Sequence, residues 1–452
     1  MNAMNKILII GAGRSATALI HYILDNAVQH NWNVIVADAD LKLAQQKTAG
    51  YKNCRATWLD VKKVNDRRDL IGRADVVISL LPAHLHLEVG HDCIKLNKHL
   101  ITASYVSKEM YRLGDEARDK DLLFMGEMGL DPGIDHMSAM RHINNLKEKG
   151  AKITSFRSYT GGLVAPDSIG DNPWKYKFTW NPRNVVLAGQ GTAQYLENGK
   201  YRYIPYNRLF AVAKAVDIKG LPLLEVYPNR DSLLYREVYG LKNVPNIYRG
   251  TLRYRGYCEA WNALVRIGLT DASFPILDVE NLTYHALMDA YTSNCAGNSV
   301  KERTASLLGE ASSNSEIMEK LDWLGLFRKK KIKLNNASPA LILEQLLLKK
   351  WRLSKGDKDM VVMQHEFKYE LDGQSKLLTS SLIMNGKNTE DTAMSQLVGL
   401  PLGVFTKLLM KGEINSKGVH IPVMKEVYEP VLNELEDYDV KFEDKIVDLP
   451  TS

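Results

Sequence analysis

The residues whose types and spacing suggest chemistry begin at Gly11-Ala12-Gly13-Arg14-Ser15-Ala16, a G-x-G-x-x-A run between the apolar stretch 7–10 and an amphipathic stretch, 17–27. Gly11 permits a tight strand-to-helix turn, Gly13 lets the backbone approach a pyrophosphate, and small Ala16 lets the helix pack closely. The helix N-terminus adds free N–H groups and a positive dipole end. A second apolar run, 34–37, ends on Asp38. That acid lies about 20 residues beyond the glycines, where a carboxylate accepts from ribose hydroxyls and repels a 2′-phosphate. With no Arg or Lys before Lys42, the spacing favours NAD over NADP. Strand, turn, helix and acid together make the motif specific for a dinucleotide.

Two further groups suggest chemistry. The loop Gly126-Glu127-Met128-Gly129-Leu130-Asp131-Pro132-Gly133 is dense in turn residues, which implies a tight backbone path. Asp131 reads either as a helix cap or as a group where nicotinamide meets substrate; the second reading is preferred. Arg230 and Arg253 stand at a turn and a strand end. Guanidinium forks bind carboxylates bidentately, so they suggest a substrate carrying several carboxylates. Arg249 and Arg255 are assigned to surface ion pairs.

The elements that must position these groups follow the same order. Strand-like runs at 56–60, 74–81, 99–103 and 122–125 alternate with helical stretches. This predicts an α/β fold with a doubly wound parallel sheet. Ligands bind such sheets beyond the strands' carboxyl ends, so the loops from Gly11, Leu81, Ser104 and Gly126 matter most. Asp60 is a candidate for the adenine end. His84, His86 and His91 do not share one helix face and read as surface or core residues rather than metal ligands.

From residue 151 the texture becomes that of a mixed sheet, with strand-like pieces at 152–159, 199–204, 210–213, 223–227 and 246–254. The stretch 258–350 is helical, with a polar interruption at Ala311-Ser312-Ser313-Asn314. A hairpin about Asp372-Gly373 follows, then an apolar helical tract at 389–410 interrupted at Pro401-Leu402-Gly403, and a last helix at 423–436.

The composition sets bounds. A chain of 452 residues needs two or three domains. Its 45% hydrophobic and 25% charged content is that of a soluble globular protein. A net charge of +6 is small, and the run Arg328-Lys329-Lys330-Lys331 reads as a solvated segment, so no nucleic-acid partner is expected. The four cysteines form no CxxC pair, which fits a reducing compartment without a disulfide framework or metal site. No room for a signal peptide and no apolar run of membrane-spanning length are seen. A cytoplasmic protein with no membrane partner is expected.

Beyond the opening motif, ITASYVS at 101–107, GLDPGIDH at 129–136, DNPWKYKFTWNPR at 171–183, YPNRDS at 227–232, TLRYRG at 251–256, DKDMVVMQH at 357–365 and AMSQLVGLPLGV at 393–404 occur in order along nearly the whole chain. In these motifs the sequence resembles the saccharopine reductases, the glutamate-forming saccharopine dehydrogenases. The resemblance implies a Rossmann domain at 1–131 with 389–452 packing back on it. It also implies a mixed-sheet substrate and dimerisation domain at 132–257 and 351–388, and a helical insert at 258–350.

The implied activity is oxidation of saccharopine with NAD(P) and water to L-glutamate and 2-aminoadipate 6-semialdehyde, in lysine metabolism, by a homodimer. Saccharopine carries three carboxylates, in keeping with the arginines. By matching motifs, Ser104, Tyr105, Arg230, Thr251, Leu252 and Arg253 should bind saccharopine. Gly11, Gly13, Arg14, Ser15, Ala16, Leu80, Leu81, Ser104, Leu130 and Asp131 should line the cofactor, together with Asp38 and Asp60. Asp131 is the preferred proton acceptor, with Tyr105 next. The basic residue that fungal, NADPH-linked members carry near Asp38 is replaced by acid, which again points to NAD. The alternatives are a related imine reductase such as a carboxynorspermidine dehydrogenase, whose pocket should be acidic, and a non-catalytic NAD-binding protein.

Overall fold

The computed structural model describes residues 5–310 and 314–450; the expected polar interruption at Ala311-Ser312-Ser313 lies outside the described residues. By internal packing the chain forms two compact units, 1–153 with 238–240 and 368–452, and 154–237 with 241–367. These divisions differ from the expected boundaries. Helix 134–148 and the stretch 368–388 group with the dinucleotide motif.

The first unit is built on a parallel sheet. Its strands are β1 (Lys6–Ile10), β2 (Asn33–Asp38), β3 (Cys54–Trp58), β4 (Val76–Ser79), β5 (His99–Thr102) and β6 (Leu123–Met125), with helices α1 (Thr17–Ala27), α2 (His86–Leu96) and α3 (Ile134–Glu148) used below. The order is β6-β5-β4-β1-β2-β3, with a seventh parallel strand, Gly418–His420, beyond β6. β1 and β4 are buried on both faces, which is why they read as unbroken Ile/Leu/Val runs rather than alternations. The switch from β1 to β4 opens the crevice at the carboxyl ends where Gly11 and Leu80 meet.

Helix Ala393–Met410 runs unbroken through Pro401, contrary to the expected interruption. A Cβ on Gly399 would lie 2.6 Å from Leu19 N, so the helix approaches α1 backbone to backbone. That close packing, with the Ser395 hydroxyl accepting from Ala18 N at 3.1 Å, overrides the cost of an interior proline. The helix is also long and apolar enough to cross a membrane, contrary to the sequence expectation, yet 89% of its apolar window is buried in the fold. It is a core helix. Helix Lys425–Leu435 packs on α3, where Asn144 Nδ2 donates to Tyr428 OH at 2.7 Å.

In the second unit the strand order is Lys214–Val216, Leu224–Pro228, Asn246–Tyr254, Lys152–Val164, Asp359–Leu371. The sheet is mixed: Asn246–Tyr254 pairs antiparallel with Leu224–Pro228 and parallel with Lys152–Val164. The expected strand at 210–213 is instead a 3-10 turn, Phe210–Val212, because Phe210 packs into the helical core rather than along a sheet. That core centres on Trp174, Trp261 and Trp351, all buried. The hairpin turn forms as expected, with Asp372 and Gly373 at φ 54° and 76°, the backbone signs of a type I′ turn.

Candidate active site

The glycine turn comes first. Gly11 lies at φ +108°, and a Cβ there would meet the Leu80 carbonyl oxygen at 3.1 Å, so glycine is demanded by the fold itself. A Cβ on Gly13 would meet nothing within 4 Å. Gly13 and Arg14 are exposed, and among the described residues no backbone acceptor meets the N–H groups of Gly13, Arg14 or Ser15. A free N–H cradle with open space before it fits a pyrophosphate. Leu80 is tied back by Leu80 N to Ile10 O, 2.9 Å. Leu81 follows it, half-buried, at the mouth.

Asp38 is spent differently from the expectation. Its Oδ2 accepts from Ala12 N at 2.6 Å and its Oδ1 from Asp40 N at 2.7 Å. Lys47 Nζ donates to the Gly13 carbonyl. Burial lowers the Lys47 ammonium to about 8, while Asp38 and Glu390 act to raise it. The acid therefore braces the turn and has a cation close by, so it is not an unopposed repulsive charge. Asp60 accepts from Lys62 N at 3.1 Å, in a turn after β3.

At the ends of β4 and β5 a buried imidazole joins two serines. His86 Nδ1 lies 2.9 Å from Ser79 Oγ, and Nε2 lies 2.8 Å from Ser104 Oγ. Burial, with His84 adding, lowers this imidazole to about 4. Next to Ser104, Tyr105 OH donates to Asp131 Oδ1 at 3.1 Å. The Asp131 loop, with Leu130 5% exposed, rests on a buried polar layer. Glu127 Oε2 meets His136 Nε2 at 2.8 Å, His136 Nδ1 meets Tyr239 OH at 2.5 Å, and Glu127 Oε1 accepts from Val106 N at 3.1 Å. Asp135 Oδ1 accepts from Gly133 N at 2.7 Å, tightening the turn into α3. The first unit thus gathers all of its predicted cofactor residues, with Ser104, Tyr105 and Asp131, around the carboxyl end of one sheet.

In the second unit, strand periodicity puts Arg249, Thr251 and Arg253 on one face of Asn246–Tyr254. Arg253 is 3% exposed. Its guanidinium lies 5.1, 5.7 and 5.3 Å from the ring centres of Tyr176, Tyr227 and Tyr257. Nη1 donates to Leu252 O at 2.7 Å and Nη2 to Tyr227 OH at 3.4 Å, while Nε has no partner. No acid forms an ion pair with it among the described residues. Burial works against the charge, but Tyr227, Tyr176 and Tyr257 more than offset it and the pKa stands above the ordinary value. Burial also raises those three phenols, so they remain neutral. Thr251 stands opposite Tyr227 in the ladder. Leu252 faces the other way, into the apolar cluster with Tyr159 and Val226; its backbone, not its side chain, belongs with Arg253. Arg230 is exposed at φ 45°, with its carbonyl held by Gln194 N at 2.8 Å.

Sequence reasoning missed the link from His86 to Ser79 and Ser104, which depends on strand ends brought side by side in the sheet. It also misplaced Arg249, which is 3% exposed with its guanidinium 4.3 Å from the Tyr235 ring centre. Strand alternation with Arg253 was the signal available for that one.

Two sequence family models match: the saccharopine dehydrogenase NADP binding domain over residues 7–125, and the saccharopine dehydrogenase C-terminal domain over 129–440. The chain belongs to the saccharopine dehydrogenase family. It is 35% identical to saccharopine dehydrogenase [NADP(+), L-glutamate-forming] of Pyricularia oryzae, covering 98% of this chain and 100% of that one. It is 33% identical to alpha-aminoadipic semialdehyde synthase of Arabidopsis thaliana, covering 98% of this chain but 45% of the relative. The chain therefore spans whole fungal relatives but about half the length of such plant and mammalian ones. Apo saccharopine dehydrogenase (L-Glu forming) from Saccharomyces cerevisiae superposes with TM-score 0.86 at 32% identity, covering 98% and 100% of the two chains. A Legionella pneumophila homospermidine synthase shares the fold alone, with TM-score 0.55 at 12% identity.

These findings correct the cofactor expectation. The family's N-terminal model is for NADP binding, and the fungal relatives are named for NADP(+), so the preference for NAD over NADP does not stand. The physical reason is the one above: Asp38 is engaged by the turn and neighboured by Lys47, which spacing in the sequence does not reveal.

Proposed function

We propose that the protein oxidises saccharopine at its CH–NH bond, giving L-glutamate and 2-aminoadipate 6-semialdehyde with uptake of water, as a step of lysine metabolism. The observation that carries this reading is Arg253. A buried guanidinium with an unmet Nε–H and no ion-pair partner among the described residues is costly until an anion arrives. A substrate carboxylate supplies that anion in bidentate geometry. A tricarboxylic amine suits this site better than a polyamine, whose ammonium groups Arg253 would repel.

The dinucleotide, held by the free N–H groups after Gly11, supplies the hydride acceptor. The chain's own residues do the rest. Arg253, Thr251, the Leu252 backbone and Arg230 hold the substrate's carboxylates. Ser104 orients the bound ligand. Asp131, hydrogen-bonded by Tyr105, takes the proton that must leave the secondary amine before hydride can depart, and then orients the water that hydrolyses the resulting imine. Hydrolysis breaks the C=N bond: oxygen goes to the lysine-derived carbon and nitrogen leaves with glutamate.

A cytoplasmic homodimer is part of the same reading. All four cysteines carry free thiols, as a reducing compartment allows.

The test is direct. Purified protein is mixed with saccharopine and NADP(+) or NAD(+), and absorbance of the reduced dinucleotide is followed. Growth of that signal with formation of glutamate is expected; no reduction with either dinucleotide sinks the proposal.

A further inference from the structure

We propose that His86 is a positioning residue that fixes the Ser104 hydroxyl as a hydrogen-bond donor toward an acceptor oxygen of the bound ligand, a carboxylate or a carboxamide. This rests on the reading that Ser104 touches substrate or dinucleotide. Three residues from separate parts of the chain are threaded on one line: Ser79 at the last position of β4, His86 at the first turn of α2, and Ser104 just past β5.

The direction of the hydrogen bonds follows from counting donors and acceptors. Burial lowers His86 to about 4, so near neutral pH the ring carries one N–H and one lone pair. One serine must therefore donate to the ring and the other must accept from it. Ser79 is 0% exposed, and among the described residues its hydroxyl has no partner other than His86. Were Ser79 to accept from Nδ1, its own proton would be buried without an acceptor, a costly state. Ser79 therefore donates to Nδ1, and the proton sits on Nε2. That N–H donates to Ser104 Oγ and occupies one of its lone pairs. The Ser104 proton is left to point away from the ring.

The rest of Ser104 is held as firmly. Its carbonyl accepts from Glu127 N at 3.0 Å, which fixes the backbone, so the hydroxyl is the part left to respond to a ligand. His86, Thr102 and Tyr105 line one narrow cleft at the sheet mouth, and Ser104 lies beside Tyr105 in that loop.

The experiment compares steady-state kinetics of wild type, S104A, H86L, H86Q and the H86L/S104A double variant. S104A is expected to raise KM for saccharopine or for the dinucleotide tenfold or more, and the ligand affected identifies the acceptor oxygen. H86L should reproduce that rise in the same KM. The double variant should be no worse than S104A within about twofold, because a residue acting through Ser104 adds nothing once the hydroxyl is gone. H86Q, whose amide N–H can replace Nε2–H, should recover most of the loss.

Additive losses, an H86Q as impaired as H86L, or an S104A that changes neither KM overturns the proposal while the proposed function stands. A wild type that never turns over saccharopine removes both. If H86L does not fold, the H86Q and S104A pair decides: H86Q near wild type beside an impaired S104A supports the proposal, and equal impairment overturns it.

Discussion

The carboxylate of Asp38 accepts a hydrogen bond from the backbone N–H of Ala12 at 2.6 Å, tying the end of β2 to the glycine turn after β1. A residue expected to read the ribose is thus first a brace for the phosphate cradle. Charge-assisted bonds of this kind are worth about 1.5–3 kcal/mol each. Asp38→Ala should therefore raise the Kd of either dinucleotide by roughly tenfold to a hundredfold, and Asp38→Asn, which keeps one acceptor, by less. Fluorescence titration of reduced dinucleotide checks this; unchanged binding in Asp38→Ala would show that the brace is dispensable.

Arg253→Met keeps the length of the side chain and removes the charge. KM for saccharopine should rise by about 2–4 kcal/mol in equivalent free energy, some thirtyfold to a thousandfold, while dinucleotide affinity is untouched. Arg253→Lys should recover little, because an ammonium cannot form the fork. A KM within twofold of wild type would take Arg253 out of substrate binding.

In the proposed mechanism Tyr105 and Asp131, joined by a hydrogen bond, act as a pair in the proton step. Tyr105→Phe should lower kcat about tenfold and Asp131→Asn about a hundredfold, with KM for saccharopine changing less than kcat. Stopped-flow measurement of the hydride step separates this from slow product release. A full-rate Asp131→Asn would leave the proton to water or to the substrate's own carboxylates.

Two imidazoles, buried His86 and partly buried His99, make stability depend on pH. Burial, aided by His84, lowers His86 to about 4, and burial, aided by Lys417, lowers His99 to about 4, both from an ordinary 6.5. Between pH 6.5 and 4 the unfolded chain binds protons that the folded chain refuses. Stability from these groups is therefore full above pH 6.5 and lost as pH falls through 4, by up to about 3 kcal/mol per imidazole. Thermal melts across that range should show a falling Tm, flattened in His99→Gln; a Tm that rises on acidification contradicts the assignment.

Gly399→Ala tests the contact between helix Ala393–Met410 and α1. The added Cβ would lie 2.6 Å from Leu19 N, so the helices must part, at a cost of about 1–3 kcal/mol. Urea unfolding should show a lowered midpoint. An unchanged midpoint would mean that the contact gives way freely.

The order of strand and helix through the first unit was legible because its local signals agree. β1 and β4 carry Ile/Leu/Val without interruption, and Gly11 must be glycine for reasons that act between near neighbours in space. The same holds for the Asp372-Gly373 turn. The third strand of local evidence, the charge at Asp38, misled because its hydrogen-bond partner Ala12 and the nearby cation Lys47 come from other elements. The break at Pro401 and the shortfall in membrane-length apolar runs misled likewise. The first is settled by what the helix packs on, the second by the length and composition of Ala393–Met410 itself.

By itself the sequence determined the dinucleotide turn, the parallel alternation and the presence of Arg230, Arg253 and Asp131 at turns and strand ends, since backbone geometry and side-chain period act over a few residues. Only the tertiary structure decided that Asp38 braces rather than repels, that Arg253 is buried among three phenols with no ion-pair partner among the described residues, and that His86 joins Ser79 to Ser104. Burial and hydrogen-bond partnership depend on segments far apart in the chain, and those are quantities that no local pattern of residues encodes.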